Sequence, residues 1–138
     1  MRIEWKPEYS VGIKLIDEQH QNFFRIVNNI FGLVEGKQES HDNLKKAIFD
    51  LSDYALYHLT TEEEYFEKFD YPDSIHHKEI HDLFRKKMMV YVQAIQNDVH
   101  SDKNLVVEVV GFAGNWLADH ILRMDKKYTE TFRLHGLI

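Results

Sequence analysis

Apolar residues recur every three or four positions along four long segments of the chain, which is the spacing of amphipathic α-helices. This spacing predicts helices over about residues 17–35, 41–68, 72–97 and 102–125. Short polar segments separate them, and an irregular arm precedes the first. Such a pattern favours an all-α fold, an up-down-up-down antiparallel four-helix bundle with an irregular N-terminal arm. No internal repeat or linker divides the chain, so we expect one domain over residues 1–138.

Each apolar stripe also carries polar residues that can bind metals, at positions that the spacing assigns to the core. They are His20 in the first stripe, His58 and Glu62 in the second, His77 and His81 in the third, and His120 in the fourth. In an antiparallel bundle the beginnings of the odd helices and the ends of the even helices lie at the same end. These side chains are therefore expected to converge in one layer of the core.

Such a layer needs partners for its polar atoms, because each buried polar group without one costs a few kcal/mol. Neutral imidazoles donate and accept only once each, so five of them are hard to satisfy by mutual hydrogen bonds. A metal ion accepts all their lone pairs at once. Histidine and glutamate on a solvated helix face are the commoner case, but agreement among all four stripes favours a metal site.

A second carboxylate is expected from Asp125, five residues after His120. Five residues of a regular α-helix turn through about 500°, which places Asp125 about 140° away from the face of His120. We therefore predict that the fourth helix loosens, forms a π-type turn or ends between these two residues.

Composition narrows the chemistry and the partners. Hydrophobic residues make up 43% of the 138 residues and charged residues 29%, as in ordinary globular proteins. The net charge of -6 argues against a nucleic-acid partner, and no apolar run reaches the roughly 20 residues of a membrane span. Because the chain has no cysteine, a metal must use histidine and carboxylate ligands, which suit iron, manganese or zinc. We expect a cytoplasmic monomer.

Four motifs together resemble the hemerythrin family, and within it the stand-alone bacterial hemerythrins. They are VGIKLIDEQH with His20, HLTTEE with His58 and Glu62, HHKEIH with His77 and His81, and WLADHILRMD with His120 and Asp125. The resemblance implies a hemerythrin-like domain with two non-heme iron ions, bridged by Glu62, Asp125 and one oxo or hydroxo oxygen. It implies that His77, His81 and His120 complete one iron site. His20 and His58 would ligate the other iron, which keeps one position open.

The function implied is reversible binding of dioxygen at the open position, for oxygen carriage, storage or delivery, rather than an enzymatic activity. Reversible binding requires a dry, apolar pocket. Leu117 and Ile121, on either side of His120, are placed to cover this position, with Phe23 and Trp116 nearby. Plain core packing explains these residues as well.

Two alternatives remain open: an oxygen or redox sensor that acts through a partner, and a di-iron oxidase or peroxidase. We expect no acid or base other than the ligands in the core layer, which argues against an enzyme. His76 is expected to face outward or to contact a ligand from outside the site, and Glu63 and Glu64 are expected to face solvent. The basic cluster from Arg85 to Lys87 is expected to be a solvated surface. The protein that would receive the oxygen is not identified by the sequence.

Overall fold

Four long helices form the body of the protein in a computed structural model that describes residues 2–36, 40–98 and 103–138. They are α1 (Lys14–Glu35), α2 (His41–Lys68), α3 (Ser74–Asn97) and α4 (Lys103–Arg123). Helix α1 packs against α2 and α4, and α3 packs against the same two helices, so each helix has two neighbours around the bundle. The predicted all-α, up-down-up-down antiparallel four-helix bundle is confirmed.

Two helices begin at other residues than the sequence predicts. Helix α1 begins at Lys14, three residues before the predicted start, because the Asp17 N–H already donates to the Ile13 carbonyl at 2.9 Å. Helix α3 begins at Ser74 rather than at Pro72. The reason is a turn after α2, in which the Ser74 N–H donates to the Tyr71 carbonyl at 3.1 Å. The predicted second helix agrees with α2, and the predicted first residue of the fourth helix, Asp102, lies outside the described residues.

The apolar stripes form a continuous core between the helices. Ile16 and Val27 of α1, Ile48 of α2 and Val110 of α4 are completely buried. Burial of such side chains contributes about 1.5–3 kcal/mol each, which makes these stripes the main source of bundle stability. The polar residues at core positions follow the same stripes to one end of the bundle.

The N-terminal arm lies across that end. Val11 and Ile13 are buried, and the Ser10 hydroxyl and the Val11 N–H both donate to the Asp17 carboxylate, at 2.5 and 2.8 Å. Gly12 between them has a φ of 74°, a conformation that glycine adopts without strain. The arm is therefore fixed to the first turn of α1.

The chain after α4 forms two short elements that were not predicted from the sequence. A 3-10 turn covers Asp125–Tyr128, and α5 follows it over Thr129–Leu134. Tyr128 and Phe132 are completely buried and their rings stack with centroids 4.2 Å apart. This C-terminal segment closes the polar end of the bundle together with the arm.

One helical stretch, Lys103–Leu134, is long and apolar enough to cross a membrane by composition alone. It begins with α4, which packs between α1 and α3. Its Val106, Val109 and Val110 are buried among them. The stretch therefore has the placement of a core helix in a soluble bundle.

Candidate metal centre

The structure brings all seven predicted ligands into one layer of the core. Helix α1 contributes His20, α2 contributes His58 and Glu62, α3 contributes His77 and His81, α4 contributes His120, and the 3-10 turn contributes Asp125. Six of the seven side chains have no solvent-exposed surface, and His120 is 3% exposed. Five imidazoles and two carboxylates thus share a water-excluded space.

Asp125 reaches this layer because α4 ends before it. The helix stops at Arg123, and Met124 has the non-helical angles φ -120° and ψ -53°. The prediction that the fourth helix ends between His120 and Asp125 is confirmed. The change of direction removes the 140° offset that a regular helix would impose, and the Asp125 carboxylate faces the histidines.

The two carboxylates divide the histidines into two groups. Asp125 places Oδ2 at 3.1 Å from the Nε2 atom of His20, and Oδ1 at 3.1 Å from the Nε2 atom of His77. Glu62 places Oε2 at 3.6 Å from the Nε2 atom of His58, and Oε1 at 3.3 Å from the Nε2 atom of His81. Each carboxylate therefore points one oxygen at each group.

The three-histidine group has the spacing of ligands around a single ion. The Nε2 atoms of His77 and His81 lie 3.0 and 3.2 Å from the Nε2 atom of His120. Imidazole nitrogens bind transition metals at about 2.0–2.1 Å, so adjacent ligands of an octahedral ion stand about 3.0 Å apart. His77, His81, His120, Glu62 and Asp125 together could hold one metal ion, and His20, His58, Glu62 and Asp125 a second.

Several polar atoms in this layer have no hydrogen-bond partner among the described residues. They are both ring nitrogens of His20, Nε2 of His58, Nδ1 of His77, Oε1 of Glu62 and both carboxylate oxygens of Asp125. Leaving a buried polar group without a partner costs about 1–3 kcal/mol, and more for a charged one. Most of these atoms are the ones that face the centre of the layer, so the donor set fits a bound metal.

The two carboxyl groups are ionised in this layer. Burial and their mutual repulsion would raise the pKa of Glu62, but the imidazoles of His58, His20 and His81 hold this pKa well below its usual range. Burial likewise opposes ionisation of Asp125, and His120, His20 and His77 keep its pKa low. The metal-free protein therefore buries two negative charges.

Protonated imidazoles balance those charges. Burial alone would lower the pKa of His20, but Asp125 and Glu62 raise it to about 9. Burial also opposes protonation of His81, yet the carboxylates around it raise its pKa to about 9. The pKa of His58 falls to about 4 because its burial outweighs the pull of Glu62. At pH 7 His20 and His81 are thus protonated and face the two carboxylates, and a metal ion would displace their protons.

Among the described residues, three more form hydrogen bonds to the ligands through their side chains, and these roles were not predicted from the sequence. Gln19 is buried, and its Oε1 accepts a hydrogen bond from His58 Nδ1 at 2.7 Å. Glu63 accepts one from His81 Nδ1 at 2.7 Å, so the prediction that it faces solvent is wrong. The neighbouring Glu64 is exposed as predicted.

Tyr128 is the third missed residue and donates a hydrogen bond from its hydroxyl to Glu62 Oε2. It is completely buried, and burial beside Glu62 and Asp125 raises its pKa well above the usual range. The expectation that the core layer holds no acid or base other than the ligands is therefore wrong. The spacing of Tyr128 and Phe132, four residues apart, was the available sequence signal for this element.

The predicted oxygen-pocket residues lie within four positions of His20 or His120 in the sequence. Leu117, Ile121 and Phe23 are completely buried. Trp116 is partly buried, and its indole stacks on His120 with ring centroids 4.3 Å apart and an angle of 14°. The indole thus contacts the three-histidine group, and the pocket role of all four residues stays a prediction.

Comparison with known proteins agrees with this arrangement. Residues 11–132 match the family described as the hemerythrin HHE cation binding domain. A bacteriohemerythrin of Clostridium acetobutylicum is 31% identical over 128 residues, covering 91% of this chain and 98% of that protein. A bacteriohemerythrin of Pseudomonas aeruginosa is 30% identical over 129 residues, covering 94% and 80%.

A crystal structure of a wild-type hemerythrin superimposes with a TM-score of 0.81 and covers 95% of this chain and 98% of that one. At 23% identity this likeness concerns the fold. The family match spans most of the chain and includes every residue of the buried layer. The chain therefore belongs to the hemerythrin family.

Proposed function

We propose that this protein binds dioxygen reversibly at a pair of non-heme iron ions, for oxygen carriage, storage or delivery. The observation that supports this most is the arrangement of Glu62 and Asp125, each of which directs one oxygen toward each histidine group. Two carboxylates shared in this way suit two neighbouring ions better than one. Family membership makes iron the metal to expect.

The two histidine groups are unequal, and this inequality supports an open position. His77, His81 and His120 with two carboxylate oxygens and a bridging oxygen would complete six ligands at one ion. His20 and His58 with the same bridges would supply only five. When bound, the iron pair would supply the electrons and the vacant position for dioxygen. The protein supplies the ligands and keeps the number of histidines different at the two ions.

The surroundings of the site favour binding over oxidation. Leu117, Ile121 and Phe23 are apolar and closed to solvent, so they exclude water and the protons that water delivers. Tyr128 is an acid in this layer, but its raised pKa keeps the proton on the hydroxyl. The hydroxyl proton is directed at Glu62, so Tyr128 holds a bridging carboxylate in place.

The hydrogen bond from Tyr128 to Glu62 also fits a competing function, that of a di-iron oxidase or peroxidase. A buried phenol in hydrogen-bond contact with a carboxylate of the site could supply an electron and a proton, which a di-iron oxidase or peroxidase could use. The sensor alternative depends on a partner protein and rests on no described residue. A monomeric state and a cytoplasmic location stay predictions and belong to this proposal.

The test is an optical spectrum of the iron-loaded, reduced protein during cycles of air and argon. Reversible binding predicts a visible absorption band that appears in air, disappears under argon and returns over several cycles. Metal analysis should give two iron ions per chain. A single decay to the oxidised protein, without a band that can be removed by argon, would contradict reversible binding and favour an oxidase.

Two adjacent histidines supply a matched control. His77 is buried in the ligand layer, whereas His76 is exposed. We expect His77→Ala to abolish the reversible band and His76→Ala to retain it with two iron ions bound. Equal spectra for the two variants would contradict the assignment of His77 as a ligand.

A further inference from the structure

His81 and His58 differ in the charge of the group that accepts a hydrogen bond from Nδ1, the ring nitrogen that points away from the ligand layer. His81 Nδ1 donates to a carboxylate oxygen of Glu63 at 2.7 Å. His58 Nδ1 donates to the neutral amide oxygen of Gln19, also at 2.7 Å. The two hydrogen bonds have the same length, but only the first places a negative charge behind the ring. The two metal positions therefore receive histidines of different donor strength.

Glu63 is held in this position from its other side. Arg85 contacts both carboxylate oxygens, with Nη1 at 2.7 Å from Oε2 and Nη2 at 3.0 Å from Oε1. The Arg85 Nη1 atom also donates to Asp82 Oδ1 at 2.9 Å. The side chains of Glu63 and Arg85 are only 16% and 24% exposed, so water screens this pair less than it screens a surface pair. Arg85 belongs to this chain of contacts rather than to a solvated basic surface.

A carboxylate that accepts from Nδ1–H has two effects on a ligating histidine. It fixes the tautomer that leaves the lone pair on Nε2, and it makes that lone pair more basic. In His81 the Nε2 atom is the one that faces Glu62 and His120 in the ligand layer. The charge of Glu63 is therefore transmitted to the atom that would bind the metal.

We propose that Glu63, held by Arg85, is a positioning residue that makes the three-histidine group the tighter of the two metal positions. The neutral Gln19 leaves the two-histidine group the weaker one. The same charge stabilises the higher oxidation state of the ion that His81 binds. This inference rests on the proposed two-metal centre, but it does not depend on oxygen binding.

The experiment is a titration of the metal-free protein with Co²⁺, followed by the visible absorption of the bound ion. Wild-type protein should bind two equivalents with separate affinities. Glu63→Gln should weaken the tighter equivalent by about 10- to 100-fold, which is the usual effect of removing such an outer partner. Glu64→Gln is the matched control, because Glu64 is the next residue, undergoes the same change and is exposed. It should leave both affinities unchanged.

A second measurement distinguishes the positioning role of Glu63 from a general loss of structure. In the Zn²⁺-loaded protein the proton on His81 Nδ1 should resonate far downfield in the ¹H NMR spectrum, and Glu63→Gln should move it upfield. Arg85→Met, which keeps the carboxylate but removes its anchor, should weaken the tighter equivalent in the same direction and by less. This variant provides the test if Glu63→Gln does not fold.

The reciprocal substitution tests the asymmetry directly. Gln19→Glu places a carboxylate behind His58, so the affinities of the two Co²⁺ equivalents should move closer together. Equal titrations of the Glu63→Gln and Glu64→Gln variants would overturn this inference and leave the metal centre intact. A wild-type protein that does not take up two Co²⁺ ions would overturn both. Failure of the air and argon cycles, with the Co²⁺ results as expected, would overturn only the oxygen-binding function.

Discussion

Replacing Tyr128 with phenylalanine removes one hydroxyl group from the metal layer and leaves the aromatic packing in place. The ring stacks on Phe132 with centroids 4.2 Å apart and on His77 at 5.9 Å, and these contacts do not need the hydroxyl. The hydroxyl itself donates to Glu62, and both side chains are completely buried. The substitution therefore isolates a hydrogen bond to a buried charge.

The expected loss follows from the charge of the acceptor. A hydrogen bond to a charged group contributes about 1.5–3 kcal/mol. The substitution leaves no large cavity, because only the hydroxyl group is removed, so we expect the metal-free protein to lose about 2 kcal/mol of unfolding free energy. With a urea dependence of about 2 kcal/mol per molar, the unfolding midpoint at pH 7 should fall by about 1 M.

Urea unfolding followed by circular dichroism measures this loss, and Tyr71→Phe is the matched control. Tyr71 is also buried, but its hydroxyl makes no hydrogen bond to any residue that the structure describes. That variant should change the midpoint by less than about 0.3 M. In a Glu62→Gln background the Tyr128 effect should shrink to about 1 kcal/mol, because the acceptor is then neutral. Equal losses for the two tyrosine variants would show that the hydrogen bond to Glu62 does not account for the effect.

Three further predictions concern the pocket and the protons of the site. Leu117→Ala should speed autoxidation of the iron-loaded protein by admitting water, with a stability loss of about 2–5 kcal/mol. Val110→Ala, two turns earlier in α4 and equally buried, should leave the autoxidation rate unchanged. Equal autoxidation rates for the two variants would contradict the pocket role of Leu117. The metal-free protein should be most stable near pH 6.5. Because the pKa values of His20 and His81 are raised to about 9, these residues stabilise the folded protein while protonated, and this stabilisation is lost as the pH rises from about 6.5 to 9. The pKa of His58, lowered to about 4, costs stability as the pH falls from about 6.5 to 4; urea midpoints across this range that show no maximum would contradict the assignments. Loading with Co²⁺ at pH 7 should release about two protons per chain, from His20 and His81, in a weakly buffered titration with a pH indicator; release of none would show that both rings are neutral beforehand.

The fold and the ligand layer could be predicted from the sequence because both depend on helical periodicity. The apolar stripe through Ile16 and Val27 predicts that this face of the first helix is buried. His20 lies on the same face, and its polar ring nitrogens need a hydrogen-bond partner or a metal there. The end of α4 could be predicted because a rotation of about 140° cannot be absorbed by a regular helix. In these cases local geometry alone limits where the side chain can lie.

The residues that form hydrogen bonds to the ligands, such as Glu63 and Tyr128, could not be predicted in the same way. Glu63 lies between Glu62 and Glu64 in sequence, and its contact with His81 depends on the axial shift between α2 and α3 and on the rotamer of the imidazole. Neither quantity is encoded in the apolar spacing. Tyr128 follows the predicted end of the last helix, where the chain changes from α-helix to a 3-10 turn. Its position depends on packing against residues from other helices.

The N-terminal arm and the C-terminal segment form hydrogen bonds with each other next to the ligand layer. The Thr129 hydroxyl donates to the Val11 carbonyl at 2.6 Å across 118 residues, and Arg133 donates to the Gly12 carbonyl at 2.6 Å across 121. Asp125 lies just before these contacts, so contacts between residues 118 and 121 positions apart hold the second carboxylate in place. Contacts of this kind require the closure of a long loop, which slows their formation. A chain emerging from the ribosome would present His20, His58, Glu62, His77 and His81 well before Asp125. Binding of a metal ion that needs both carboxylates would thus be restricted to molecules in which these contacts have formed.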